Sequence, residues 1–298
     1  METYQKIQTL YKRYIFDGSK CPNKKWLKFK NKIILGDFSI IEASYLFNCP
    51  WEAYSKIDGT CSKIAFFPST GEIMIGGKTD KASSMHGQFE MLQEIGERIK
   101  PQLCAMFPKE SARFVPVKDK ATNKIQYYLN TDESTPIEPK LGFVGVELEE
   151  VPVYIYGEYF GAGIQKCGPR YIQNGNAFRV FDIKQQGWWT PKDVRDTMCK
   201  SLGLEAVPFL GIMTLKEIED KVRNGFTTQF ENAADPTMIE EGIVARPVIP
   251  LCDARGNRII VKVKYCDYVE YDTVRKEFTD EEFEEFSRWY QENIESIN

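Results

Sequence analysis

Histidine is nearly absent from this sequence of 298 residues, and its scarcity restricts the chemistry that the chain can perform. His86 is the only histidine. Zinc sites built on histidine, and nucleophiles activated by a Ser-His or Cys-His pair, are therefore nearly excluded. Catalysis would have to rest on lysines and carboxylates, and the chain contains 39 Lys and Arg and 43 Asp and Glu residues.

Closely spaced cysteines and long apolar runs are also lacking. The eight cysteines are scattered without a Cys-x-x-Cys pair in a chain too long for a disulfide scaffold, so we expect them to be reduced and structural. No apolar run reaches the roughly 18 residues that a membrane span needs. The first residues show neither the basic nor the apolar region of a signal peptide. These absences predict a cytoplasmic protein without membrane association.

A basic excess is missing as well. The net charge of −4 argues against a protein that coats nucleic acid non-specifically, although it is compatible with a local basic groove. The hydrophobic fraction of 42% and the charged fraction of 28% are ordinary for a globular protein. Since the sequence has no internal repeat, low-complexity tract or Pro/Gly-rich linker, we favour one large domain over two small ones.

Helical and strand patterns alternate along the chain. Aromatic and aliphatic residues at helical spacing predict a first helix from Tyr4 to about Asp17, and a later helix from Gly87 to Pro101. Capping boxes at Thr214 and Thr279 open two more helices, and another begins near 190. Strands are predicted at residues 51–54, 64–67, 72–75, 114–117, 125–129, 141–148, 151–156, 177–183, 238–248 and 258–268. The predicted fold class is therefore α+β, with mixed or antiparallel sheets flanked by helices.

Residues 20–32 alternate lysines with Trp26 and Phe29. The lysines and rings could grip a phosphate backbone and stack a base. Alternatively, the segment is a solvated strand with two buried aromatic side chains. The pattern on its own favours the second interpretation, because isolated matches of this kind are weak evidence.

Lys56 lies between a predicted strand end and the turn signal Asp58-Gly59-Thr60. From such a position a lysine can reach a ligand. Taken alone, it would be interpreted as a surface residue beside an Asp-Gly turn, because short motifs often match by accident. Residues farther along the chain decide between the two interpretations.

Four later stretches share a chemical theme with Lys56-Ile-Asp-Gly59 and follow it in a defined order. They are Tyr156-Gly-Glu158, Phe178-Arg-Val-Phe-Asp-Ile183, Glu241-Gly-Ile-Val244 and Lys262-Val-Lys264. Together they resemble the motifs of the covalent nucleotidyltransferases, the superfamily of polynucleotide ligases and messenger RNA capping enzymes. The resemblance covers roughly residues 50–268, and five ordered motifs are more specific than any single one. Within this superfamily, residues 157–165 resemble the RNA ligase 2 family.

The resemblance implies a nucleotidyltransferase (ATP-grasp-like) adenylation domain over residues 1–298, with an N-terminal extension of about residues 1–50 and no C-terminal OB-fold. It implies ATP and Mg²⁺ (or Mn²⁺) as cofactors. The expected partner is RNA with 5′-phosphate and 3′-hydroxyl ends, for instance at a nick in a duplex. Because the segment after Lys264 is too short for an OB-fold, strand recognition is expected from the catalytic domain, from residues 1–50 or from an accessory protein.

The residue types suit covalent adenylation. Lys56 would attack the α-phosphorus of ATP after losing its proton, and Lys262 and Lys264, on one strand face, would favour that loss and neutralise the phosphates. Glu158 and Glu241 are both candidates for ribose binding and for metal binding. The family pattern implies Glu158 toward the ribose and Glu241 toward the metal, but the sequence alone does not separate these roles. A glycine beside each glutamate is expected to admit the nucleotide.

The remaining assignments concern the nucleotide. Phe181 would stack on adenine, with Asp182 on the opposite face of the strand. Gly59 would permit the turn that brings Lys56 to the phosphate, and Asp58 would order that loop. Lys78 stands where RNA ligases of this type usually carry an arginine, and it is assigned to the ribose or the RNA phosphate although it lacks arginine's bidentate fork.

These assignments predict an ATP-dependent RNA ligase that works through lysyl-AMP and RNA-adenylate intermediates. The nearest alternative is a DNA ligase or a GTP-using capping enzyme, and the expected lack of an OB-fold argues against both. A non-catalytic RNA end-binding protein is a more distant alternative. Such a binder would not need the nucleophilic lysine, both glutamates and the Lys-x-Lys pair together.

Overall fold

The protein is described by a computed structural model that covers residues 2–78, 87–108, 114–118, 125–129, 152–185 and 187–294. Its contacts divide the chain into two compact units. We call Gln5–Ile57 with Pro208–Asn298 the terminal unit, and Met1–Tyr4 with Asp58–Val207 the central unit. The single adenylation domain, its N-terminal extension and the lack of an OB-fold stay predictions.

Strands and helices are mixed along the described residues. The strands are β1 (Gln8–Thr9), β2 (Tyr11–Arg13), β3 (Ile33–Phe38), β4 (Trp51–Ser55), β5 (Thr60–Phe67), β6 (Glu72–Gly77), β7 (Phe114–Lys118), β8 (Ile125–Leu129), β9 (Val153–Gly161), β10 (Asn176–Gln185), β11 (Trp188–Trp189), β12 (Glu205–Ala206), β13 (Phe209–Met213), β14 (Gly242–Pro247) and β15 (Val261–Lys264). The α-helices are α1 (Ile41–Tyr45), α2 (Gln88–Met106), α3 (Gly168–Tyr171), α4 (Lys192–Leu202), α5 (Leu215–Asn224), α6 (Tyr265–Arg275) and α7 (Asp280–Asn293). This confirms the α+β class with mixed and antiparallel sheets. The strand predicted at 141–148 lies outside the described residues.

The terminal unit is built on a five-stranded sheet in the order β1, β15, β14, β4, β13. Neighbouring strands are antiparallel except for β1, which runs parallel to β15. Alternate residues of these strands are buried against α5 and α6, among them Ile243, Ala245, Val261 and Val263. Because side chains alternate along a strand, the residues between them face away from this core.

The central unit contains a six-stranded sheet in the order β11, β10, β9, β5, β6, with β12 beside β10. One face packs against α2 and α4 through Ile64, Ile155, Val180, Leu92 and Leu202, all of them buried. The opposite face carries polar and charged residues, which include several predicted site residues. This face also carries the stacked rings of Tyr154 and Tyr156, so it combines charged with aromatic side chains.

The predicted first helix is wrong. Gln8–Thr9 pairs in parallel with β15, and Tyr11–Arg13 pairs antiparallel with β3. Tyr11 and Tyr14 are buried, as the spacing predicted, but in short strands and the turn that follows them. Backbone pairing with distant residues here outweighs local helical spacing, since local preference is only a weak prior.

Trp26 and Phe29 are buried, with 4% and 0% of their surface exposed. They lie in a 3₁₀ helix, Lys24–Phe29, and their rings pack against Phe286 of α7. Burial of the two aromatic side chains is therefore confirmed, whereas the predicted strand is wrong. Neither ring is available to stack on a base.

Two helix boundaries also differ from expectation. Helix α2 continues through Pro101 to Met106, because Ile99 and Leu103 on either side of the proline are both fully buried on one face. This packing outweighs the hydrogen bond that proline cannot donate. The strand predicted to reach residue 268 ends at Lys264, and α6 follows at once.

No helix in the described part of the chain is long and apolar enough to span a membrane.

Candidate active site

Three adjacent strands of the terminal unit bring Lys56, Glu241 and Lys264 together at the same end of the sheet. Lys56 directly follows β4, Glu241 directly precedes β14, and Lys264 ends β15. Gly242 pairs with Lys264, and the Lys56 backbone N–H donates to the Gly242 carbonyl at 3.0 Å. The register of the sheet therefore places three charged side chains from distant parts of the sequence side by side.

Glu241 bridges the two lysines. Lys56 Nζ donates to Glu241 Oε2 at 2.6 Å, and Lys264 Nζ lies 2.6 Å from Glu241 Oε1. The side chains are 19%, 12% and 27% exposed for Lys56, Glu241 and Lys264. A carboxylate at hydrogen-bond distance from an amine is within reach of its proton. The arrangement can therefore serve a lysine nucleophile with Glu241 as proton acceptor.

Lys264 is held as a cation. Burial by itself lowers the pKa of its ammonium, but the hydrogen bond and the charge of Glu241 outweigh burial and raise the pKa above its usual value. Lys262 shares the exposed face of β15, because Val261 and Val263 are the buried residues of this strand. The sequence predicted that lysines would act directly on Lys56, whereas the structure places a carboxylate between Lys56 and Lys264.

Glu240 is a buried carboxylate that the sequence analysis missed. It is 1% exposed, and Oε1 accepts from Thr228 Oγ1 and from the Gln229 N–H, each at 3.1 Å. Burial raises the pKa of this carboxyl. Ser55 Oγ is also buried, and its hydroxyl favours the charged form of the Glu240 carboxyl against the effect of burial. The sequence signal for this buried residue was the pair Glu240-Glu241 directly before a strand. Because side chains alternate between the two faces, one of two consecutive carboxylates turns toward the core.

In the central unit, predicted site residues surround Cys61. Glu158 of β9 lies opposite Cys61 of β5 and opposite Arg179 of β10. Burial, followed by the charge of Glu158, raises the pKa of the Cys61 thiol to about 12, and Lys78 and Asp182 also act on it. Of these charged residues, the strand register places Glu158 directly opposite this thiol. The sequence analysis missed Cys61 and Arg179. Their place opposite Glu158 is seen only from the register of the paired strands.

Phe181 and Asp182 both contact Tyr4. The Tyr4 hydroxyl donates to Asp182 Oδ2 at 2.5 Å, and its ring packs edge-on against Phe181 with 5.0 Å between centroids. A bulge between Val180 and Asp182 interrupts the alternation of β10. The expectation that Phe181 and Asp182 lie on opposite faces is therefore wrong. Asp182 is buried, with 3% of its surface exposed.

Asp58 and Gly59 lie in the loop before β5. The Asp58 N–H donates to the Tyr171 hydroxyl, and Asp58 Oδ2 accepts from the Cys167 N–H, both at 3.3 Å. These contacts tie the loop to α3 and to the residue before it. They fit the loop-ordering role expected for Asp58.

Protein atoms fill the space beside the glycines that neighbour Glu158 and Glu241. A Cβ at Gly157 would lie 2.4 Å from the Phe178 ring, and a Cβ at Gly242 would lie 1.9 Å from the Val263 carbonyl oxygen. Gly242 also has a φ of +155°. The expectation that these glycines leave room for a nucleotide is therefore wrong, since each allows a close approach within its own unit.

These features define an α+β protein with a lysine–carboxylate–lysine site in one sheet. The model of the family described as RNA ligase matches residues 50–264, and the chain belongs to this family. No curated protein matches the sequence.

Solved structures of an RNA ligase from Naegleria gruberi are similar to this chain. A lysine-to-alanine variant with ATP and Mn has 14% identity and a TM-score of 0.47, covering 78% of this chain and 54% of that one. The same ligase with PPi has 14% identity and a TM-score of 0.46, covering 78% and 55%. This chain thus spans about half the length of those proteins.

Proposed function

We propose that the protein is an ATP-dependent RNA ligase that forms a covalent lysyl-AMP at Lys56. The observation that carries the proposal is the position of Glu241 between Lys56 and Lys264, in a chain of the RNA ligase family. A surface lysine would need neither a partly buried carboxylate partner nor a second fixed cation. The network therefore supports a nucleophilic role for Lys56.

In the first step, Lys56 Nζ attacks the α-phosphorus of ATP. A phosphorus–nitrogen bond forms, the bond to the β-phosphate oxygen breaks, and pyrophosphate leaves. Glu241 Oε2 accepts the proton of Lys56, with which it already shares a hydrogen bond at 2.6 Å. Lys264 keeps its positive charge, because its pKa is raised, and faces the negative charge that develops on the phosphates.

In the second step, the AMP passes from Lys56 to an RNA 5′-phosphate. In the third, a 3′-hydroxyl attacks that phosphate, AMP leaves, and the strand is sealed. The same cations, Lys262 and Lys264, would neutralise phosphate charge in each step.

We further propose that the fold is a nucleotidyltransferase adenylation domain and that the central unit contributes nucleotide contacts. Glu158 and Lys78, on the polar face around Cys61, would bind the ribose and a phosphate. Phe181 would provide the adenine contact. Asp182, bonded to Tyr4, would hold the end of β10 in place rather than bind the nucleotide itself.

Mg²⁺ or Mn²⁺ fits this site only together with the phosphates of ATP. The described residues contain no group of three Asp, Glu, Cys or His side chains that could hold a metal ion, and both Glu241 oxygens already accept lysine ammonium groups. Mg²⁺ commonly binds through one or two carboxylates, water and substrate phosphates. Glu241 would contact the ion through a water bound to the metal, and the ion would neutralise phosphate charge when bound.

The test is transfer of label from α-labelled ATP to the protein. Wild type should become labelled and Lys56→Ala should not, while Lys216→Ala, which removes an exposed lysine of the same unit, should label as wild type does. Absence of label on wild type, or equal labelling of Lys56→Ala, would show the mechanism to be wrong. Labelling by GTP instead of ATP would indicate capping chemistry. Sealing is then measured on duplexes that carry RNA or DNA on each side of the nick. The combinations that are sealed show which kind of strand supplies each end.

A further inference from the structure

The terminal unit contains a cleft of about 630 Å³ beside the Lys-x-Lys pair. One wall is formed by the N-terminal segment, and the other by Lys262 and Lys264 of β15. The parallel pairing of β1 with β15, in which Thr9 lies opposite Lys262, holds these two walls together. The residues that line the cleft are Lys6, Ile7, Gln8, Thr9, Lys12, Arg13, Ile15, Ser39, Lys262 and Lys264.

The charge of this cleft contrasts with that of the whole chain. Its lining among the described residues includes five lysine or arginine side chains and no carboxylate, in a protein with a net charge of −4. Three of these cations pair with carboxylates that do not line the cleft: Lys12 with Asp37, Arg13 with Asp267, and Lys264 with Glu241. Lys6 is exposed and forms no ion pair within the described part of the chain. Cations gathered in a concave surface attract polyanions more strongly than scattered ones. The cleft is therefore a local basic groove in an acidic protein.

Lys264 connects the cleft with the ion-pair network of Lys56. Lys264 lines the cleft and also lies 2.6 Å from Glu241, the carboxylate that bonds Lys56. A phosphate bound by Lys264 would therefore lie beside the carboxylate that bonds Lys56. Residues 6–39 also lie outside the part matched by the family model, residues 50–264, so this wall is a feature that the family match does not describe.

We propose that the cleft binds the sugar-phosphate backbone of the RNA substrate, an inference that rests on the proposed ligase function. Ammonium and guanidinium groups would contact phosphates, and the polar side chains of Gln8 and Ser39 would reach ribose or phosphate oxygens. Among the described residues, no aromatic side chain lines the cleft, so none of them stacks on a base there. Binding would then be independent of RNA sequence.

The double variant Lys6→Ala/Lys12→Ala tests the proposal. Both side chains are exposed, so the fold should be retained, which a thermal melt would verify. The affinity for a labelled, 5′-phosphorylated single-stranded RNA is measured against salt concentration. Each lost phosphate contact should lower the magnitude of the slope of log K against log salt by about 0.7. The loss should be equal for RNAs of unrelated sequence.

The matched control is Lys216→Ala/Lys276→Ala, which removes the same charge from exposed lysines of the same unit outside the cleft. Its salt slope should equal that of wild type. An equal reduction of the slope in both double variants would overturn the proposal, because net charge and not the cleft would then govern binding. An unchanged slope in Lys6→Ala/Lys12→Ala would overturn it as well.

The triphosphate of ATP is a second ligand that cations in the cleft would bind. Labelling of the protein by α-labelled ATP distinguishes it from the RNA backbone. We expect the ATP concentration for half-maximal labelling to stay at the wild-type value in Lys6→Ala/Lys12→Ala. A raised requirement for ATP with an unchanged RNA slope would assign the cleft to ATP and overturn the RNA assignment. If wild type does not label at all, the ligase function fails, whereas the salt slopes still decide whether the cleft binds RNA.

Discussion

In the terminal unit, Lys56, Glu241 and Lys264 contact one another through their charged groups, and no other side chain is interposed. In the central unit, Asp182 is instead bonded to the hydroxyl of Tyr4, and Gly157 is closed in by the Phe178 ring. In one unit, predicted site residues thus contact one another through their charges, whereas the other unit uses some of its motif residues to hold the sheet. The ordered motifs therefore include residues that stabilise the fold.

The largest effect is expected for Glu241→Gln. The amide keeps the shape of the side chain but neither accepts the proton of Lys56 nor pairs with Lys264 as an anion. We expect the rate of labelling by α-labelled ATP to fall by about 10²-fold or more, the usual contribution of a general base. A rate close to that of wild type, in a variant with an unchanged melting temperature, would remove Glu241 from the reaction.

Gly157→Ala should destabilise the central unit. The new Cβ would lie 2.4 Å from the Phe178 ring and 2.6 Å from the Arg179 carbonyl oxygen, so we expect a loss of about 3 kcal/mol, near the upper end for overpacking. Urea unfolding measures this loss. The double variant Gly157→Ala/Phe178→Leu should recover part of the loss by removing the ring. Unfolding that matches wild type would contradict the packing role of this glycine.

Tyr4→Phe removes the hydroxyl that donates to buried Asp182. Hydrogen bonds to charged groups contribute more than neutral ones, and we expect a loss of about 1.5 kcal/mol in the free energy of unfolding. A double-mutant cycle with Asp182→Asn isolates the interaction. If the labelling rate fell while stability did not change, Asp182 would belong to the reaction and the contrast between the units would disappear.

Glu240→Gln should have the smallest effect and should alter the pH dependence of stability. Burial raises the pKa of Glu240 in the folded state, so the folded protein binds this proton up to a higher pH than the unfolded chain does. Between the ordinary and the raised pKa, wild type therefore loses stability as pH rises, by about 1.4 kcal/mol per unit of pKa shift.

The glutamine variant lacks this titration and should show a flatter profile over the same interval. Its amide can still accept from Thr228 and Gln229, so the variant should fold. Urea unfolding of both proteins, from about the ordinary carboxyl pKa to neutral pH, provides the comparison. Parallel profiles would show that Glu240 is not the titrating group.

Local patterns were sufficient to predict the elements that carry the site. The strand predicted at 51–54 is β4, the strand predicted at 177–183 lies within β10, and the capping boxes at Thr214 and Thr279 do begin α5 and α7. Each of these signals depends on residues a few positions apart, where alternation and capping act. The sequence motifs also named Lys56, Glu241 and Lys264, which the structure brings into contact.

The arrangement of those residues was not predictable, because it depends on pairing between distant strands. The spacing of Tyr4 and Tyr11 suggested a helix, yet Tyr11 pairs with Phe38 and Tyr4 bonds Asp182. The bulge beside Phe181 changes which side chains share a face without any local signal. Likewise, nothing within either motif indicates that Glu241 would lie between Lys56 and Lys264.

The terminal unit is discontinuous in sequence, and this affects how the protein is made. Lys56 and Glu241 are 185 residues apart in the chain, and β4 is bordered in its sheet only by β13 and β14. A ribosome that has just released β4 has synthesised neither of these neighbours, whereas every strand of the six-stranded sheet emerges before Pro208. Because chains fold as they emerge, β4, the strand that ends before Lys56, must wait unpaired until the central unit has been synthesised.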